Sequence, residues 1–188
     1  MYINKINGRL VSKKELIEVV ANKKDVDEIA LIQKNISEDS IKDENGKSVF
    51  AVDDKKFIES IISSKRGIIN LYFNEDELVG LFELFCPDDS LELISEYKIN
   101  EYNLEVDYKN MGVAESIVVL PKYRGNGLQV QMFKRMEQLA KERGITSLIG
   151  TVHPDNIYSC RNFDICGYKT LAKIEIHGGC RYLKYKRL

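Results

Sequence analysis

A chain of 188 residues, 44% of them hydrophobic, carries enough apolar material for one buried core, so a single domain is expected. Its 28 basic and 29 acidic side chains nearly cancel, which excludes the broad positive field that draws proteins onto nucleic acid or anionic membranes. No apolar run approaches the ~20 residues that span a bilayer, and the opening Met1-Tyr2-Ile3-Asn4-Lys5 has no apolar signal core, so a cytoplasmic protein is expected.

Asp25 followed by Glu28 reads as a capping box, and Val26, Ile29, Ala30, Gln33 and Ile36 then recur at helical spacing, predicting a first amphipathic helix. Asp53 or Asp54 opens a second, with Phe57, Ile58, Ile61 and Ile62 on one face and Gly67 beyond its end. The polar connection Ser37 to Ser48 either shapes an acceptor pocket or is a solvated linker. Ile68 to Phe73 and Leu78 to Phe85 read as paired strands around the turn Asn74-Glu75-Asp76-Glu77. Leu91 to Lys109 shows no clean period and reads as a long loop, with or without one short element; acidic Asp88, Asp89, Glu92 and Glu96 either attract a cationic amine or are simply solvated. Val113 to Leu120 is a strand stopped by Pro121, followed by a helix from about Leu128 to Arg143 with Gly144 as its stop. Leu128, Met132, Met136 and Leu139 make that helix's buried stripe, with Phe133 and Ala140 beside it. A strand over Ser147 to Val152, a helix from about Asp155 to Ile165 and a closing strand pair joined by His177-Gly178-Gly179 complete the chain. The expected order is therefore helices first, then strands and helices in alternation. Cys86, Cys160, Cys166 and Cys180 form no CxxC pair and read as reduced thiols, and the spacing of His177 and Cys180 does not meet that of zinc modules, so no metal is expected.

The turn Arg124-Gly125-Asn126-Gly127 lies between a strand and a helix. Such a turn presents unpaired amides at the positive end of the helix dipole and suits a phosphate group. Glycines let the backbone approach the ligand, and Arg124 adds a charged donor. A Walker loop would need Gly-Lys-Ser or Gly-Lys-Thr, absent after Gly127, and the dinucleotide fingerprint would need a glycine where Val130 stands. Taken alone, the turn is equally a tight strand-to-helix connection.

A strand ending in Val119-Leu120-Pro121, then Lys122-Tyr123-Arg124-Gly125-Asn126-Gly127-Leu128, then an amphipathic helix, resembles the GNAT acetyltransferases. The family signature is Gln/Arg-x-x-Gly-x-Gly/Ala. Arg124, Gly127 and Gln129 occupy its fixed positions, Gln129 standing where a small residue is usual. His153-Pro154-Asp155-Asn156, Ser159 and Gly167-Tyr168 are similar to the family's next strand and helix. The resemblance covers Ala114 to Leu188; before Gly112 only the order of elements agrees.

This resemblance implies an α/β (α+β) fold with a mixed, mostly antiparallel central sheet, splayed middle strands and flanking helices. Residues 1–188 would form one domain, with 1–112 on the acceptor side and 113–188 binding acetyl-coenzyme A. The implied cofactor contacts are Arg124, Gly125, Asn126, Gly127, Leu128 and Gln129, the backbone of Val118 and Val119 toward pantetheine amides, and Asn156, which also reads as an N-cap.

Acetyl transfer needs a neutral amine, an aligned carbonyl carbon and a stabilised thiolate. Glu115, nine residues before Arg124, resembles the strand glutamate that some GNAT enzymes use as base. Sharing a face with Ile117 and Val119 would raise its pKa, whereas at the strand start it would instead face solvent. The family's usual acid, a Tyr four residues before the Gly of Gly-Tyr, is replaced by Phe163, leaving Ser159, Cys160, Tyr158 or water. Ser159, one turn earlier on the same face, is the catalytic candidate, and a pantetheine contact is its alternative. His153, Asp155 and Ser159 lack the Gly-x-Ser-x-Gly elbow of a hydrolase. The expectation is an N-acetyltransferase acting on a primary amine of a small molecule or peptide, as monomer or homodimer. Its rivals are a catalytically weak acyl-CoA-binding or sensing module, motivated by Phe163 and Gln129, and a structural domain without cofactor.

Overall fold

The computed structural model describes residues 1–87, 90–102 and 107–188. The chain begins with a hairpin of β1 (Tyr2–Ile6) and β2 (Arg9–Glu15) around Asn7-Gly8, whose φ angles of 50° and 75° are those of a type I′ turn. β3 (Ile17–Val20) follows as an edge of the main sheet. Helices therefore do not come first. The strands escaped the hydrophobic pattern because charges and exposed positions dominate them, and only Ile3 of β1 is buried.

The first helix, α1 (Val26–Asp39), buries Val26, Ile29, Gln33 and Ile36. Its approach is a single 3-10 turn, Lys23–Asp25, closed by a capping box between Asn22 and Asp25. The expected Asp25–Glu28 box is thus displaced by one turn, because Asp25 is already helical and its carboxylate reaches back to the Asn22 amide (2.8 Å). α2 (Lys55–Ser63) starts at Asp54, which accepts from the Phe57 amide. β4 (Ile68–Asn74) and β5 (Glu77–Phe85) pair as expected. The stretch read as a loop with at most one short element contains α3 (Ser90–Tyr97), which buries Leu93 and Tyr97, and Ile99 beyond it is also buried. Asp88 and Asp89 lie outside the described residues, as does the Glu92 side chain.

β6 (Met111–Val119), α4 (Leu128–Glu142), β7 (Ser147–Val152), α5 (Ile157–Ile165), β8 (Lys169–Ile176) and β9 (Gly179–Arg187) complete the fold. The seven-stranded sheet has the order β3-β4-β5-β6-β7-β9-β8. Every pairing is antiparallel except β6–β7. One face packs against α4 and Phe163 of α5, and α1, α2 and α3 cover the other.

Two irregularities create the site. β6 and β7 pair only from Met111 to Val113 with Ser147 to Ile149, after which they part. Between β5 and β6, Phe82 opposes Ile117 but Leu84 opposes Ala114, so β6 carries one extra residue. This bulge lies at Glu115–Ser116, across from Glu83.

Candidate active site

At the exit of β6, Pro121–Tyr123 form a 3-10 turn whose Tyr123 is fully buried and donates its hydroxyl to Glu77 (2.7 Å). The following loop is thereby fixed to the β4–β5 turn. Gly125 and Gly127 have φ of 82° and 64°, and a Cβ on either would meet nothing within 4 Å, so the loop faces open space. Gly127 caps α4 without a side chain, and Gln131 is the first helical amide to bond, to the Gly127 carbonyl (3.1 Å). Among the described residues no group accepts from the amides of Leu128, Gln129 or Val130. Three free amides, the helix dipole and Arg124, whose Nε donates to the Val119 carbonyl (3.3 Å), suit a pyrophosphate.

Asn126, expected to touch the cofactor, spends its side chain elsewhere. Its Oδ1 accepts from the amides of Asn4 and Lys5 (2.8 and 3.0 Å), and its Nδ2 donates to the carbonyls of Lys5 and Tyr123 (2.9 and 2.8 Å). Its carbonyl accepts from Gln131 Nε2 (3.1 Å), so only its amide is left to face a ligand, and the N-terminal hairpin is clamped to the loop. Gln129 also turns away from the loop: its Nε2 donates to Ser159 Oγ (3.0 Å), and its Oε1 accepts from Asn162 (2.6 Å). Ser159 Oγ, already accepting, retains its own proton to donate. Asn156 caps α5 by accepting from the Ser159 amide (3.2 Å), so that helix starts at Ile157 rather than Asp155. Phe163 is buried edge-on against Phe133 and Tyr168, with ring centroids 4.7 and 5.1 Å away.

Leu120 donates its amide to the Val79 carbonyl (2.9 Å), and Val118 stands opposite Leu81. Alternation along β6 then directs the Val118 amide to β5 and the Val119 amide toward the opening beside β7. Of the two valines, Val119 has the available amide.

The bulge also corrects the expected face of Glu115. Ile117 and Val119 pack toward the α4 side, with Ala114, whereas Val113 packs against α3. An extra residue between them reverses the alternation and turns Glu115 and Ser116 toward α2 and α3. Ser116 Oγ donates to Asp53 (3.1 Å), whose amide donates to Gln33 Oε1 (2.8 Å), and Gln33 Nε2 donates to Glu83 (2.8 Å). Burial, followed by the nearby Asp53 and Glu96 charges, pushes the Glu115 carboxyl from its ordinary 4.5 up to about 8, while Arg181 pulls it down. Glu83, fully buried, is driven well above its ordinary value by burial and by the Asp53 and Glu115 charges.

A cavity of about 710 Å³ runs from Arg124 and Gly127 past Val119 and Glu115 to Asp53 and Arg181. Ser159, Asn156, Gln129, Gly125 and Leu128 line its loop end, and Ser40, Ile41 and Val49 to Ala51 cover the other. The Ser37 to Ser48 connection thus reaches the cavity. Asp53 was legible only as a helix start, and Glu83 and Arg181 were missed; the signal for Glu83 was an acid inside the apolar run Leu81-Phe82-Glu83-Leu84-Phe85. Among the described residues, no helix is long and apolar enough to cross a membrane, and no group of three or more His, Cys, Asp or Glu is placed to hold a metal ion. All four cysteines are free.

No curated protein sequence matches the chain. Among solved structures it is similar to a GNAT-family acetyltransferase from Streptococcus pneumoniae (18% identity, 93% of this chain and 99% of that one, TM-score 0.66). It is also similar to yncA from Salmonella typhimurium, solved with its cofactor acetyl-CoA (14%, 93% and 95%, TM-score 0.62). A third is ribosomal-protein-alanine N-acetyltransferase from Brucella melitensis (14%, 92% and 99%, TM-score 0.62). At these identities the structures speak for the fold. Residues 32–168 match the acetyltransferase (GNAT) family, whose general chemistry is acyl transfer from acetyl-CoA, and this chain belongs to that family.

Proposed function

We propose that the protein is an N-acetyltransferase that passes the acetyl group of acetyl-CoA directly to a primary amine within a ternary complex. The observation that carries this reading is that Glu115, a carboxyl at about 8, lines the same cavity as the free-amide loop at Arg124 to Gly127. A base near neutral pH is what an amine nucleophile requires.

The loop amides at Leu128 to Val130, with Arg124 and the backbone of Gly125 to Gly127, would hold the pyrophosphate, and the Val119 backbone a pantetheine amide. Bound there, acetyl-CoA supplies an activated acyl carbon. Glu115 takes the proton that the amine nitrogen sheds as the N–C bond forms and the C–S bond breaks. The Ser159 hydroxyl, oriented by Gln129, donates a proton to the departing thiolate and regains one from solvent. Cytoplasmic placement and a monomeric or homodimeric state remain part of this reading. The acceptor would be a small molecule or peptide amine.

Thiol release measured across a panel of amines tests it. Turnover with at least one amine, lost together with acetyl-CoA affinity in Gly127→Asp, is the expected result. Measurable CoA binding with no turnover on any amine would instead favour an acyl-CoA-binding module.

A further inference from the structure

Arg181 lies on β9, on the face that also carries Leu183 and packs toward α3. It is only 6% exposed and lines the cavity beside Glu115 and Asp53. Among the described residues its one hydrogen bond donates from a terminal nitrogen to the Val49 carbonyl (3.3 Å), and its buried Nε has no partner. Neither Asp53 nor Glu115 forms an ion pair with it, although Glu115 is near enough to feel its charge. A guanidinium is costly to bury without a bound anion, and its planar fork matches a carboxylate.

The same end of the cavity also carries the other sign. Asp53 and Glu115 face the cavity from the start of α2 and from the β6 bulge. The cover limits acceptor size: Val49, Phe50 and Ala51 lie over this end, and Lys47 Nζ donates to the Gly178 carbonyl (2.8 Å), tying the α1–α2 connection to the β8–β9 turn. A long cationic polyamine would meet Arg181 with its second charge, and a protein tail would meet the cover.

We propose that the acceptor is a small zwitterion of the free amino-acid class, its carboxylate held by Arg181 and its amine presented to Glu115. The terminal nitrogen not bonded to Val49 supplies a donor for that carboxylate, and Asp53 balances the ammonium before it loses its proton. This inference rests on the proposed amine acetylation for its chemistry, but its binding half is independent of turnover.

Two measurements keep the two apart. Calorimetry on the CoA-loaded protein compares free L-amino acids with the same compounds as carboxamides, alongside spermidine and a peptide with a free N-terminus. At least one amino acid is expected to bind on the order of 10- to 100-fold more tightly than its amide, the size of one charge-assisted contact in a buried site. Arg181→Gln should bring that ratio toward one, and Arg181→Lys should keep part of it. Far-ultraviolet dichroism checks that both variants fold. Thiol release on the same compounds should show the same preference as a higher KM for the amides. The proposal is overturned if no amino acid binds better than its amide, if spermidine or the peptide binds best, or if the glutamine variant weakens both classes equally. Preferential binding of an amino acid that is never acetylated would support the site while removing the acetyltransferase reading.

Discussion

Glu115 sets the expected pH dependence of the chemistry. A carboxyl lifted to about 8 by burial and by Asp53 and Glu96 is largely protonated at pH 7, so the fraction able to act as base grows as pH rises through 8. The kcat/KM of the wild type should therefore climb across pH 7–8.5. Glu115→Gln should lower kcat by on the order of 10²–10⁴-fold and remove that limb, with acetyl-CoA affinity nearly unchanged. An unaltered profile in the variant would remove Glu115 as base. Ser159 and Gln129 belong to the same scale: the long Gln129 side chain, out of place in the family signature, is what orients the Ser159 hydroxyl. Phe163 holds its ring in the core between Phe133 and Tyr168 and has no proton to give.

Among the elements, the N-terminal hairpin and the β6 bulge matter most for the site. Asn126 makes four hydrogen bonds that hold β1 and Tyr123 around the loop. Asn126→Ala should cost about 1–3 kcal/mol of stability by leaving backbone groups of β1 unpaired. It should also weaken acetyl-CoA, because the loop loses its support. Thermal unfolding with calorimetric titration of acetyl-CoA would check both; unchanged affinity in a destabilised variant would show the clamp to be structural only. Much of this arrangement was readable at the element level. The β4–β5 pair, β6, α4 and β7 stand close to their expected bounds because each has a clear apolar period and a stop residue such as Pro121 or Gly144. The first hairpin was not read from hydrophobicity, since its strands are mostly exposed, yet Asn7-Gly8 is the local signal for its turn.

At the scale of the whole molecule, Glu83 and Glu115 make folding itself pH-dependent. Both acids bind protons more tightly in the folded chain than at the ordinary 4.5. Above pH 4.5 the unfolded chain releases protons that the folded chain retains, so these groups make stability fall as pH rises toward 8. Glu83→Gln keeps an uncharged group beside Gln33 and removes one of the two contributions. Its stability relative to wild type should therefore improve as pH rises above 5, as read by denaturant unfolding at several pH values. Parallel curves for the two proteins would contradict a proton held on Glu83.

Local pattern and spacing determined the segment proposed to hold the cofactor: a strand, a glycine turn and an amphipathic helix are short-range features, and Arg124 to Leu128 can be read from neighbours in the chain. The proposed catalytic end of the cavity depends on contacts distant in sequence. An extra residue in β6 is invisible until β5 lies beside it, because a bulge is a mismatch between two strands. Only the folded sheet brings Asp53, Glu83, Glu115 and Arg181 to one face, and only burial and neighbouring charges there raise the Glu83 and Glu115 carboxyls, the latter to about 8, and leave a guanidinium nitrogen without a partner among the described residues.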